Sequence, residues 1–231
     1  MTEETCRSIY FELRSFYEYT SENGLCGQPF SSIGSPFESP SLIKVEDLVT
    51  LSDVDQLLSD CDEDPQLYLS VLFAFRMSLN TSDFVSIRKS DLVIQKGSGE
   101  MLLRVKRFIE ESGQKEDRYL LIPDDVRPAV DVVLKSTNPL YPYLFCSRLN
   151  KPFTERAIQK RLKEAQKGRA EAITFRDLRA LSLFLMVFEG IPKESIAAYA
   201  GIKGQWLYSY DHIPKELIFD AASLLHIRVL S

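Results

Sequence analysis

Past Arg179, the stretch Phe175 to Phe188 (FRDLRALSLFLMVF) carries a single polar side chain, Ser182. The spacing predicts a helix over Arg176–Glu189, ended by Gly190. A helix that is apolar on every side has to lie inside a core, so the rest of the chain must wrap it. Its first turn is different: Arg176 and Arg179, three residues apart, share one helical face. A guanidinium grips a phosphate through two parallel hydrogen bonds. It also snorkels from the end of a buried helix, and the pair alone fits both readings.

At 231 residues, with 45% apolar and 26% charged side chains, the chain can build one domain around that helix plus a smaller appendage. No apolar run approaches the roughly 20 residues that span a bilayer, so no membrane partner is expected. Met-Thr-Glu-Glu-Thr at the start is acidic where a signal peptide is basic. The cysteines Cys6, Cys26, Cys61 and Cys146 are scattered and only two histidines occur. That argues against zinc and for reduced thiols in a cytoplasmic protein; neither metal nor cofactor is expected.

The net charge of −5 speaks weakly against nucleic acid, but the charge is unevenly spread. Residues 1–64 hold three basic and fourteen acidic side chains, whereas 148–179 hold ten basic and four acidic. The basic segment runs straight into the arginine pair.

In chain order, Ile9, Leu13, Phe16 and Tyr17 predict a helix over 5–22, stopped by Asn23-Gly24. Gln28 to Pro40, with three prolines and several serines, reads as a linker. A helix opens at Leu51 with Ser52 as its expected cap, and Asp53 and Asp55 suit its positive end. Another starts at Pro65, and a third at Thr81-Ser82-Asp83, ending near Ser90-Asp91. Three short β-type runs follow: Leu92–Ile94, Met101–Val105 and Tyr119–Ile122. Polar turns at 96–99 and 110–117 separate them. Helices are then expected over Val126–Leu134, Thr154–Gly168, Arg176–Glu189 and Pro192–Tyr199. Trp206–Tyr210 is a short segment, and 217–229 a last amphipathic helix. The fold class is mainly α with a small three-stranded antiparallel sheet.

This order of elements resembles the catalytic domain of the tyrosine recombinases, or phage integrases. Residues 77–92 resemble the family's T-G-L-R-x-S-E-L-x-x-L-x-x-S-D-I block. Leu144-Phe145 with Lys151-Pro152-Phe153-Thr154 resembles its L-F and K-P-L-S stretch, and 174–180 resembles T-P-H-D-L-R-H. Gly190 to Gly201, then Tyr210-Asp211-His212-Ile213, is similar to its closing L-G-H and Y-T-H-V. Residues 9–33 resemble the end of a core-binding domain and its linker. The implied organisation is such a helix over 1–27, a linker over 28–50 and a catalytic domain over 51–231. Family members place three or four helices ahead of that domain, where one fits here.

The resemblance implies a tyrosine hydroxyl that attacks a DNA phosphodiester. Two arginines and a histidine neutralise the non-bridging oxygens, and a hairpin lysine protonates the leaving oxygen. Arg179 takes the second-arginine position and Tyr210 the nucleophile position. Tyr210 is preferred to Tyr208 for its Y-x-H context, with aromatic packing as the other reading of both. The hairpin lysine is Lys106, with Lys115 second. Four positions depart from the pattern, among them Asn80 for the first arginine, Arg176 for a histidine and Ile202 for the histidine after Leu-Gly. Ala180 also replaces the histidine of the Arg-His pair. Arg76, one turn before Asn80, is the candidate to replace the lost cation.

The expectation is a DNA-binding protein of this fold with impaired or absent strand cleavage. Its contacts to double-stranded DNA would come from Arg156, Lys160, Arg161, Lys163, Lys167 and Arg169, with the Arg176/Arg179 pair. An active recombinase with a variant pocket is one alternative. A protein-interaction module is the other, with helix 217–229 docking on a second copy or a related recombinase.

Overall fold

The computed structural model describes residues 49–109, 114–147, 149 and 151–202, together with 13, 16, 19, 20, 23 and 24; for 107–109 and 114–116 it describes backbone alone. Tyr208, Tyr210, the helix expected over 217–229, the 28–40 linker and the Lys115 side chain lie outside that set. The chain divides into two compact units, 1–42 and 43–231. In the first, Leu13, Phe16, Tyr19 and Thr20 are helical. Asn23 closes that turn, donating from its backbone N–H and its Nδ2 to the Tyr19 carbonyl at 3.1 and 2.8 Å.

The second unit opens with α1 (Leu51–Asp60) and α2 (Pro65–Arg76). The cap of α1 is Thr50, not the expected Ser52. Thr50 Oγ1 accepts from the Asp53 N–H, and the Asp53 carboxylate accepts the Thr50 N–H in return at 3.0 Å. Such a reciprocal box needs a hydroxyl three residues before a carboxylate; Ser52 has Asp55 at that spacing too, but it already lies inside the helix, which starts at Leu51. Asp64 caps α2, with Pro65 at the first position, where its missing N–H costs nothing.

Helix α3 (Thr81–Val85) is shorter than the sequence suggested. A separate 3-10 turn, Lys89–Asp91, completes the stretch. The sheet follows in the order β1 (Leu92–Ile94), β2 (Met101–Ile109), β3 (Gln114–Leu121), antiparallel throughout. Both long strands run further than expected, because Gln114 to Asp117 extend the ladder where a turn was foreseen. Charged side chains tolerate a strand that has one solvated face. The remaining helices are α4 (Arg127–Ser136), α5 (Glu155–Ala165), α6 (Phe175–Phe188) and α7 (Lys193–Ala200). Among the described residues, no helix is long and apolar enough to cross a membrane.

Helix α6 packs on α2, as its composition demands. Leu67, Leu69, Val71, Phe73 and Ala74 of α2 are buried, as are Phe175, Leu178, Leu181, Leu183 and Phe184 of α6. Leu144-Phe145, flagged in the sequence as a brief apolar stub, is fully buried. The Phe145 ring stands edge-on to Phe73 at 5.8 Å and tilted against Phe84 at 5.7 Å, and Phe84 meets Phe175 at 5.1 Å. That chain of rings ties α2, α3 and α6 together; aromatic pairs add about 0.5–1.5 kcal/mol each beyond area burial.

The turn from α2 to α3 is itself tied to α6. Ser78 is buried, its hydroxyl 2.5 Å from that of Ser182 on α6. It has φ 51, the one described non-glycine residue in the left-handed region. The Leu79 N–H then donates to the Phe73 carbonyl at 3.1 Å, and this bend delivers Asn80 as the N-cap residue of α3.

Candidate functional site

Thr174 caps α6 through a second reciprocal box. The Asp177 carboxylate accepts the Thr174 N–H at 2.8 Å, and Thr174 Oγ1 accepts the Asp177 N–H at 3.3 Å. The box fixes the first turn, and with it the arginine pair. Arg176 is exposed and Arg179 half-buried. Arg179 reaches two other elements: Nη1 donates to Oδ1 of Asn80, 99 residues away, and Nη2 donates to the Ala200 carbonyl at 2.9 Å. The snorkelling alternative therefore does not describe Arg179, whose fork spans α3 and α7.

Gly201 ends α7 in the left-handed conformation, φ 67. Ile202 follows, its N–H donating to the Ala197 carbonyl at 3.0 Å and its side chain half-buried against the core. Asn80, Arg179, Ala200 and the turn into Ile202 thus come together from three distant parts of the chain.

One further cation, missed in the sequence, joins them. Arg118 of β3 has only 14% of its side chain exposed. It shares the sheet's inner face with Leu120 and lies opposite Val105, both buried. Its Nη1 donates to the Tyr199 carbonyl at 2.6 Å, and its Nη2 lies 3.7 Å from Oδ2 of Asp83. The same Asp83 oxygen accepts the Asn80 N–H at 3.2 Å. A Cβ on residue 201 would lie 2.6 Å from Arg118 Nη1, so the guanidinium packs directly on the glycine. Desolvating a charge costs several kcal/mol unless partners compensate, and here Nη1 and Nη2 each have one. The signal was available: Arg118 stands two residues before Leu120, and alternate residues of a strand face the same side.

Two proposed cations lie elsewhere. Arg76 Nε pairs with Asp125 at 2.8 Å, so it does not fill the place of the arginine missing at 80. Lys106 is exposed on the outer sheet face, opposite Asp117 in the register. Tyr199 is directed into the fold, its hydroxyl 3.5 Å from the Arg76 carbonyl. Burial pushes its phenol up, with Arg76 and Arg118 opposing.

The phage integrase family profile matches residues 48–204. The chain belongs to the phage integrase family. Its fold is shared with XerA recombinase at 17% identity and TM-score 0.62, over 84% of this chain and 68% of that one. It is also shared with the Tn1549 transposon integrase in complex with transposon right end DNA, at 15% identity and TM-score 0.64, over 100% and 81%. Lambda integrase bound to DNA matches at 17% and 0.55, over 86% and 72%. No curated protein sequence is significantly similar.

In this integrase-family domain the basic helix divides into two sets. Arg156, Lys160, Lys163 and Lys167 are exposed and recur at spacings of four, three and four, one stripe along α5 and just past its end. Ile158 and Leu162 are buried on the other side. Arg161 and Arg169 turn inward instead. Arg161 pairs with Asp64 and lies 4.6 Å from the centre of the Phe153 ring. Arg169 sits 3.6 Å from both Asp53 and Asp60. Part of the acidic front thus serves as counter-charge for the basic segment.

Proposed function

We propose that this domain binds duplex DNA through the exposed stripe Arg156, Lys160, Lys163 and Lys167 together with Arg176 and Arg179, and that strand cleavage is lost or nearly so. The observation that carries the reading is the state of the arginine fork. Arg179 is locked by α3 and α7 at the head of a capped, buried helix, while its neighbour at position 80 is a neutral carboxamide. Position 202 offers an apolar side chain where a donor is needed. Removing one donor aimed at a transition-state oxyanion costs roughly 10²–10³ in rate, about 3–4 kcal/mol. Ground-state grip on a backbone phosphate needs only positioned positive charge. Binding therefore survives substitutions that disable chemistry. Support for DNA as the ligand comes also from two relatives of the same fold, whose structures contain it.

Two measurements on one sample test this. Affinity for a duplex should fall steeply with salt, with a log–log slope of roughly −0.9 for each neutralised phosphate; a flat response refutes DNA binding. A suicide substrate should yield no covalent adduct. An adduct abolished by Tyr210→Phe refutes the loss of cleavage and establishes an active recombinase.

A further inference from the structure

A cleft of about 570 Å³ opens at the start of α2, between the end of α4, the loop after Phe145 and helix α5. Sites for small molecules run from roughly 300 to 1,000 Å³. Helix α2 is 12 residues long, so the cleft lies roughly 18 Å from the end that leads to Asn80, apart from the arginine fork. Its wall has a one-sided hydrogen-bonding inventory. Gln66 Oε1 accepts the Cys146 N–H at 2.7 Å, and Asn138 Oδ1 accepts the Leu140 N–H at 3.0 Å. With the oxygens engaged, each carboxamide keeps its NH2 group, two donors apiece. Ser147 Oγ likewise accepts the Lys151 N–H at 3.3 Å and keeps its O–H. Arg161 directs Nη2 to Asp64, which leaves Nε and Nη1, and its guanidinium lies 4.6 Å from the centre of the Phe153 ring. Thr137 is buried, and its hydroxyl has no hydrogen-bond partner among the described residues. Lys89 adds a second cation close by, its Nζ donating to the Asn138 carbonyl at 2.6 Å. Among the described residues lining the cleft none is acidic; Asp64 meets it only through Arg161.

We propose that this cleft binds a small hydroxylated molecule bearing a phosphate or a carboxylate, with the anionic group on Arg161 and the polar body along the Gln66 and Asn138 amides. A wall of spare donors beside two cations calls for a ligand rich in acceptors, and an oxyanion is that group. The free edge of a guanidinium matches two of its oxygens at once. Ser136, which donates to the Val133 carbonyl at 3.1 Å, is left as an acceptor for a ligand hydroxyl. The inference does not rest on the DNA reading.

The test is isothermal titration calorimetry of the full chain with glucose 6-phosphate and citrate, and with glucose as the uncharged control. At least one of the two anions is expected to bind saturably, and glucose is not. Binding of glucose 6-phosphate alone identifies a phosphate ligand, binding of citrate alone a carboxylate, and binding of both supports the shared oxyanion chemistry. N138D and Q66E keep the oxygen that accepts the backbone N–H but replace two spare donors with negative charge. Each should weaken the anion by about ten-fold or more while leaving the thermal midpoint close to that of the wild type. R161K keeps a cation for Asp64 but loses the fork, and should bind several-fold more weakly. K160Q/K163Q, altered on the exposed stripe of α5, should bind the anion as the wild type does. Should Q66E or R161K fail to fold, N138D and the stripe variant still decide. Failure of both anions to bind overturns the proposal, as does glucose binding as tightly as they do. So does wild-type affinity in folded N138D, or loss of binding in K160Q/K163Q, which would place the anion on the stripe.

Discussion

Replacing Ser182 by alanine is expected to destabilise the domain by about 1–3 kcal/mol, the cost of leaving a buried hydroxyl unsatisfied. The hydroxyl in question is that of Ser78, which is fully buried and whose hydrogen bond is to Ser182. Ser78→Gly acts differently. It removes the same hydrogen bond but relieves a left-handed conformation that costs a non-glycine residue roughly 1–2 kcal/mol. It also adds about 0.5–1 kcal/mol of backbone entropy loss on folding. Ser182 can turn its hydroxyl to the carbonyl of its own helix four residues back, so the net change should lie near zero. The double variant loses both partners at once and should recover most of what Ser182→Ala lost, giving a coupling energy of at least about 1 kcal/mol. Urea unfolding monitored by circular dichroism would measure this through shifts in midpoint at constant slope. Equal instability of Ser182→Ala and the double variant would refute the reasoning, because it would place the cost in packing rather than in the stranded hydroxyl. Since this turn delivers Asn80 to Arg179, any Ser78 variant that stays folded but loses DNA affinity would also tie the strain to the site.

Hydrogen bonds from Thr50, aided by Arg169, hold the Asp53 carboxyl below its ordinary value of 3.8. That contribution to stability is therefore fully present above the unfolded value and fades as pH falls through the lower folded one. An acid-unfolding series should show Thr50→Ala costing about 1 kcal/mol at neutral pH and much less in acid. Arg161→Ala and Arg169→Ala should lower stability with little effect on the salt dependence of DNA binding, while Lys160→Gln with Lys163→Gln should do the reverse; thermal melts and the salt series separate them. Burial pushes the Cys61 thiol up to about 12, with Asp64 and Asp60 adding to the rise, and Cys146 is also raised. Pulse alkylation followed by mass spectrometry should find both unmodified in the native protein and modified in urea.

The architecture was legible because it is written in periodicity. The apolar run of α6, the Pro65 start of α2 and the Gly190 stop are one-dimensional signals, and each marks a helix end or a core face that the structure contains. Boundaries slipped where a local rule had two candidates. Thr50 and Ser52 both carry hydroxyls with an aspartate three residues on, Asp53 and Asp55, so the local rule does not choose between them. The site was half legible. Arg179 and Asn80 were singled out separately, but that one donates to the other depends on a bend at Ser78 that a sequence without glycine there conceals. Charge counting erred in a different way, because it treats every basic residue of a helix alike. Arg161 and Arg169 face acidic partners of α1 and α2 that lie about a hundred residues earlier, and no local pattern announces such pairs. Arg118 escaped because an isolated arginine in a polar strand resembles a solvated one until the register shows which face it occupies.

The glycine turn at 201 has a consequence for how such a domain can change. Residue 201 has φ 67 and carries the Arg118 guanidinium packed against it, so both backbone and neighbour favour glycine there, while Asp83 ties the same guanidinium to residue 80. Substituting an arginine at 80 would introduce a second cation beside the Asp83 carboxylate that Arg118 already uses. Positions 80, 118 and 201 are therefore linked, through Asp83 on one side and the packing of the guanidinium on the other. A change at any one of them has to be accommodated at the other two.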